Sequence, residues 1–188
     1  MRLFLAINLP ALSIAAIDRE AGLLRAAAPS LRWVPAERWH LTVRFIGEQP
    51  LAAVADIGRA LDVAVGGHSE APLVLGEVGA FPNFRRARVV WLGIAPDPRL
   101  ELLHHDIESA CVALGMDPEG RPFRPHLALA RVPTGTGEPV LRSLARAARA
   151  VRYSERIDAD AVDVMASEPT PHGRRYHLLH SSPLGAAH

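Results

Sequence analysis

Apolar positions along the chain change period several times, and each change predicts an element. "RLFLAI" (2–7) is an unbroken apolar run that predicts a buried strand, ended by Asn8 and Pro10. Residues 11–28 carry the spacing and alanine content of a helix. "LRWVP" (31–35) predicts a short extended piece, and "HLTVRFIG" (40–47) a strand stopped by Gly47. Residues 51–65 predict a second helix closed by Gly66-Gly67, and "PLVLGEVGAF" (72–81) and "RVVWLGI" (88–94) predict strands. Asp97-Pro98 is a helix start, an N-cap aspartate before a first-turn proline, and that helix should run to about Leu114. "HLALAR" (126–131) predicts a strand and residues 138–150 a helix. "RIDADAVDVMAS" (156–167) and "RRYHLLHS" (174–181) predict one closing strand each.

Shifting the chain by 86 residues lays Arg2 on Arg88, Leu5 on Trp91 and His40 on His126. Both halves then read strand, helix, histidine-led strand, and each histidine lies 38 positions after its arginine. An internal repeat is therefore expected, approximately 1–86 and 87–188, within one bilobal domain. The mixing of strands and helices points to an α+β fold: two antiparallel sheets related by a pseudo-twofold, lining a groove, with helices packed outside.

Composition changes this picture little. The 188 residues are 49% hydrophobic and 22% charged with a net charge of +1. That suits a globular domain and excludes a global positive field, so nucleic-acid binding needs a local basic groove. The basic residues are arginines, clustered at Arg85, Arg86 and Arg88, at Arg121, Arg124 and Arg131, and at Arg174 and Arg175. Their planar forks suit phosphate. Cys111 is the one cysteine and lies on the stripe Leu100, Leu103, Ile107, Cys111, Leu114, which predicts a buried, inert thiol and a reducing compartment. "MRLFLAINLP" is too short an apolar run for a signal peptide or a membrane span, so a cytoplasmic chain with no membrane contact is expected.

The candidate chemistry lies in the two histidine-led strands. Alternation puts His40, Thr42 and Arg44 on one face and Leu41, Val43 and Phe45 on the other. The second copy groups His126 with Ala128 and Ala130 against Leu127 and Leu129. With the apolar set turned to the helices, both imidazoles face the groove. Near neutral pH one imidazole can take a proton while the other gives one, which suits in-line displacement at phosphorus without a metal. A hydroxyl beside them would hold the non-bridging oxygens. A single histidine leading a strand is an ordinary structural residue; the signal is the pair.

Other candidates carry less. His104 and His105 are adjacent on a helix and point about 100° apart, and His177 and His180 are expected on opposite faces of a strand, so neither is a metal pair. "PTGTGEP" (133–139) lacks the lysine and the strand–helix context of a phosphate loop. "GAFPNFRRAR" (79–88) is richer: Phe81 or Phe84 could stack on a base while the arginines meet phosphates.

"HLTVRF" and "HLALAR", with "MRLFLAINLP", "RWVPAERWHLTVRFIGE", "VGAFPNFRRARVVWLGI" and "RPFRPHLALARV" around them, resemble the paired motifs of the 2H phosphoesterase superfamily. Within it they resemble the RNA 2′,3′-cyclic phosphodiesterases, also described as 2′-5′ RNA ligase-like. The resemblance implies a bilobal fold with no metal or cofactor, and hydrolysis of RNA-terminal 2′,3′-cyclic phosphates to 2′-phosphates, with ligation of RNA ends as the reverse. It implies His40 as proton donor to the leaving 3′ oxygen, His126 as the base that activates water, and Thr42 as the hydroxyl on a phosphate oxygen. Arg131 matches an arginine that follows the second motif, although strict alternation puts it on the wrong face, so the strand must end or twist there. Arg44, Arg124 and Phe81 complete the expected substrate contacts. The departure is Ala128, where the family carries threonine or serine.

Two further readings follow. The same chemistry could serve a small cyclic nucleotide or an ADP-ribose cyclic phosphate. The chain could instead be a non-catalytic RNA-end binder weakened at Ala128, although both histidines are retained. A monomer is expected.

Overall fold

Strand β1 (Arg2–Asn8) runs to Pro10, and helix α1 (Ala11–Ala27) follows. β2 (Arg32–Trp33), β3 (His40–Glu48), α2 (Ala53–Val65), β4 (Ala71–Phe81) and β5 (Val89–Ile94) come next. α3 (Pro98–Ala113), β6 (His126–Arg131), α4 (Glu138–Ala150), β7 (Ser154–Ala159), β8 (Ala161–Thr170) and β9 (Gly173–Pro183) complete the order. The computed structural model describes residues 1–185 except Glu70 and His172.

The elements form where the periodicity placed them, with one difference. The predicted strand over 156–167 is two strands, β7 and β8, because the chain leaves one edge of the sheet at Asp160 and re-enters beside β1 in its other half. The start of α3 is as expected: the Asp97 carboxylate accepts from the Arg99 N–H at 2.9 Å, and Pro98 follows it.

The strands lie in the order β7-β4-β5-β6-β3-β1-β8-β9, with β2 on the free flank of β6. Four strands, β7-β4-β5-β6, make one half and β3-β1-β8-β9 the other. The halves join through the single pair Leu41↔Leu127. The fold is α+β, and neither half of the sheet is built from a contiguous half of the chain. β4 crosses to pair β5 as a neighbour in sequence, while β8 and β9 return to flank β1. Helices α1 and α4 pack together, as do α2 and α3.

Leu3, Leu5, Ile7, Leu41 and Leu127 on the sheet and Leu24, Leu100, Leu103 and Ile107 on the helices are fully buried. Each contributes roughly 1.5–3 kcal/mol of transfer free energy. Cys111 is buried among them, and desolvation pushes its thiol pKa up, as befits an inert side chain.

Arg44 is a buried cation beside this core. Its side chain is 3% exposed, forms an ion pair with Glu108 of α3 and donates to the Asp117 carbonyl at 2.6 Å. Glu108→Ala would strand a buried guanidinium and is expected to cost about 3 kcal/mol in a denaturant titration. The double change Arg44→Met with Glu108→Leu should recover most of that loss; equal destabilisation by both variants would show that the ion pair is not the cause.

Candidate functional site

β1 and β3 pair antiparallel as Asn8↔His40, Ile7↔Leu41 and Ala6↔Thr42, and then Leu5 meets Arg44. Val43 is left without a partner, so a bulge interrupts the alternation. Val43 and Arg44 both end on the helix side, and Phe45 turns to the groove opposite Phe4, where it is 67% exposed. The expectation that Arg44 shares a face with His40 is therefore incorrect. The reason is the bulge, which no alternation rule contains.

β5 and β6 repeat the device. Gly93↔His126, Leu92↔Leu127 and Trp91↔Ala128 are followed by Val90↔Ala130, with Leu129 unmatched. Ala130 turns to the core, and Arg131 comes onto the groove face with His126 and Ala128. The same bulge that removes Arg44 brings Arg131 in, supplying the twist its position needed. The equivalent of Trp91 is thus Ala6 rather than the Leu5 that the uniform shift selected.

The pair Leu41↔Leu127 sets His40 beside Ala128 and Thr42 beside His126 across the junction of the halves. The Nδ1–H of His40 donates to the Arg38 carbonyl at 2.8 Å, and that of His126 to the Arg124 carbonyl at 2.6 Å. A carbonyl can only accept, so each neutral ring carries its proton on Nδ1 and keeps the Nε2 lone pair for other chemistry. His40 Nε2 lies 3.0 Å from Thr42 Oγ1. Ala128 offers His126 no such partner.

Aromatic rings flank each imidazole. Phe4 and Tyr176 stand 4.9 and 5.4 Å from His40, and Phe81 and Trp91 stand 5.0 and 6.5 Å from His126. The Trp91 indole lies flat on the sheet, and a Cβ on Gly79 would come within 2.1 Å of it. Burial lowers the His40 pKa, partly opposed by the hydrogen bond to Arg38.

That shift makes a prediction. The unfolded chain takes a proton at His40 just below pH 6.5, while the folded chain resists it, so stability is lost as pH falls through that range. His104, which stacks on Phe123 at 4.0 Å, is lowered by burial first and by Arg44 next, and adds to the effect. Tm should fall between pH 7.5 and 5.5, and His40→Asn should shrink that fall. An unchanged fall in the variant would remove His40 from the explanation.

The remaining predicted residues divide clearly. Phe81 is in the groove, whereas Phe84 packs with Ala80, Ala87 and Leu141. Arg124 serves through its backbone carbonyl, and its side chain is exposed. A bulge at Leu179 puts His177 and His180 on the same face, contrary to expectation. They bond different carboxylates, Glu168 at 3.0 Å and Asp62 at 2.8 Å. Among the described residues no cluster of three or more metal-ligating side chains occurs. Among the described residues no helix is long and apolar enough to cross a membrane.

Sequence reasoning missed Phe4, Asn8, Asp163 and Tyr176. Asn8 neighbours His40, and its Nδ2 donates to the buried Asp163 carboxylate at 2.6 Å. Phe4 and Asn8 were readable from alternation in "RLFLAIN"; Asp163 and Tyr176 come from strands more than 100 residues away.

Comparison with known proteins agrees with this fold. An RNA 2′,3′-cyclic phosphodiesterase of Geobacillus stearothermophilus is 31% identical over 128 residues, 68% of this chain and 41% of that protein's length. One from Aeropyrum pernix is 30% identical over 151 residues, covering 80% and 84% of the two chains. The crystal structure of Escherichia coli LigT complexed with 3′-AMP superposes with a TM-score of 0.72 at 28% identity, over 97% of each chain. The family model of the 2′-5′ RNA ligase superfamily matches residues 14–170, which take in both histidine-led strands, and the chain belongs to that superfamily.

Proposed function

We propose that the chain hydrolyses RNA-terminal 2′,3′-cyclic phosphates to 2′-phosphomonoesters through His40 and His126, within one bilobal domain acting as a monomer in the cytoplasm. The observation that carries this reading is the shared tautomer: each Nδ1–H is tied to a carbonyl two residues upstream, which leaves two Nε2 atoms for proton transfer at one phosphorus. The relatives named RNA 2′,3′-cyclic phosphodiesterase support the substrate.

In this mechanism His126 Nε2 takes a proton from water as its oxygen attacks phosphorus. The P–O3′ bond breaks in line, and His40 Nε2–H gives its proton to O3′. In the neutral ring Nε2 accepts from the Thr42 hydroxyl; once His40 is protonated that hydroxyl is released to donate to a non-bridging oxygen, and Arg131 neutralises charge on the same group. Burial makes the His40 imidazolium a stronger acid than an exposed one, and the phosphate anion offsets the cost of charging it. A 5′-hydroxyl attacking the same phosphorus in place of water, its proton taken by His126 while the P–O3′ bond breaks and O3′ takes the His40 proton, would join two ends through a 2′-5′ linkage. No step requires a metal ion or cofactor.

The test is incubation with a cyclic-phosphate-ended oligonucleotide in EDTA, with the product identified by its 2′-phosphate. Dependence on added metal, or full activity in both His40→Ala and His126→Ala, would overturn the mechanism.

A further inference from the structure

The pseudo-twofold makes the two ends of the groove equivalent in backbone, but the side chains make them opposites. At one end, β2 adds to the free flank of β6, pairing Arg32↔Arg131 and Trp33↔Ala130, and Val34 N–H donates to the Leu129 carbonyl at 2.8 Å. The register continues through Val89 to Phe81, so Arg32, Arg131, Val89 and Phe81 form one row across four strands on the groove face. Arg32 and Arg131 are exposed, and neither has an acidic partner among the described residues.

At the other end the shift of 86 puts Phe45 in the place of Arg131 and Pro118 in the place of Arg32. Phe45 stands beside a cavity of about 520 Å³ whose wall includes Asp117, Asp56, which pairs with Arg59, and Arg44, whose charge is already taken by Glu108. Exposed carboxylates repel a phosphodiester, and unpaired guanidinium forks attract one.

We propose that Arg32 and Arg131 form a rail for the RNA backbone, so that the strand leaves the site over β6 and β2 and Arg32 holds the phosphodiester on the 5′ side of the cyclic end. Arg32 is then a specificity-determining residue that favours oligonucleotides over mononucleotides. Its position is secure because the chain is anchored on both sides of it: Leu31 N–H donates to the Ala28 carbonyl at 3.3 Å before it, and Trp33 Nε1–H, to the same carbonyl at 3.1 Å, and Val34 N–H, to Leu129, hold it after. The inference rests on the proposed activity for its substrate but not for its readout, which can be binding alone.

The experiment compares a cyclic-phosphate-ended hexanucleotide with the matching nucleoside 2′,3′-cyclic phosphate in wild type, Arg32→Ala and Arg32→Lys. In Arg32→Ala the preference for the oligonucleotide in kcat/KM should fall roughly fivefold, carried by KM, and the salt slope of log KM should drop by about 0.7. Arg32→Lys should retain most of the preference. An unchanged preference in Arg32→Ala, or equal loss on both substrates, would overturn the rail. Binding of a 3′-phosphate-ended hexanucleotide and of a nucleoside 3′-phosphate is measured in parallel. If nothing is turned over, the proposed function falls, while selective loss of hexanucleotide binding in Arg32→Ala would still support the rail and its absence would reject it.

Discussion

His126→Ala is expected to lower kcat for cyclic-phosphate hydrolysis roughly 10²–10⁴-fold, with a much smaller change in KM. The imidazole is the base in the proposed mechanism, and Ala128 on its own strand supplies no second group that could take the proton in its absence. Thr42, Arg131 and the groove would remain to bind the phosphate, which is why the loss should fall on turnover. His40→Ala should cost a comparable factor, and the double variant little more than either, because acid and base act in one step. Single-turnover rates at saturating oligonucleotide check this. A His126→Ala rate within threefold of wild type would remove that residue from the chemistry.

The second large effect concerns the missing hydroxyl. Thr42→Ala is expected to lower kcat roughly 10²–10³-fold, the loss seen when one of few charge-stabilising donors is removed. Ala128→Thr should act in the opposite sense and raise turnover by roughly tenfold. Its hydroxyl would stand to His126 as Thr42 stands to His40, at the half-buried position between His40 and Trp91. Introduced into Thr42→Ala, the same change should restore part of the lost rate. Equal or lower turnover in Ala128→Thr would mean that a second hydroxyl has no use in this groove.

The elements and the histidine pair were legible because they depend on local order. Period-2 alternation identifies a half-buried strand whatever it packs against, and Asp97-Pro98 marks a helix start through its own backbone. The repeat supplied the rest, since two histidines at equivalent places must face each other if the halves are symmetric. What could not be read was the bulge. Whether Val43 and Leu129 sit unmatched depends on the register against β1 and β5, so Arg44 was placed in the groove and Phe45 in the core when each is the reverse.

Strand exchange was equally out of reach. A chain with two similar halves can build one sheet from each half or trade strands, and its hydrophobic pattern is the same in both cases. Here β4 and the β8–β9 pair are traded, and β2 lies against β6, which is how Arg32 comes to stand beside Arg131. The order of residues thus decided the elements, the two imidazoles and the absent hydroxyl, all of which rest on spacing along one strand. The tertiary structure decided which arginine faces the groove and which strand lies beside it. Those depend on pairings between strands far apart in the chain, where one unmatched residue exchanges the two faces.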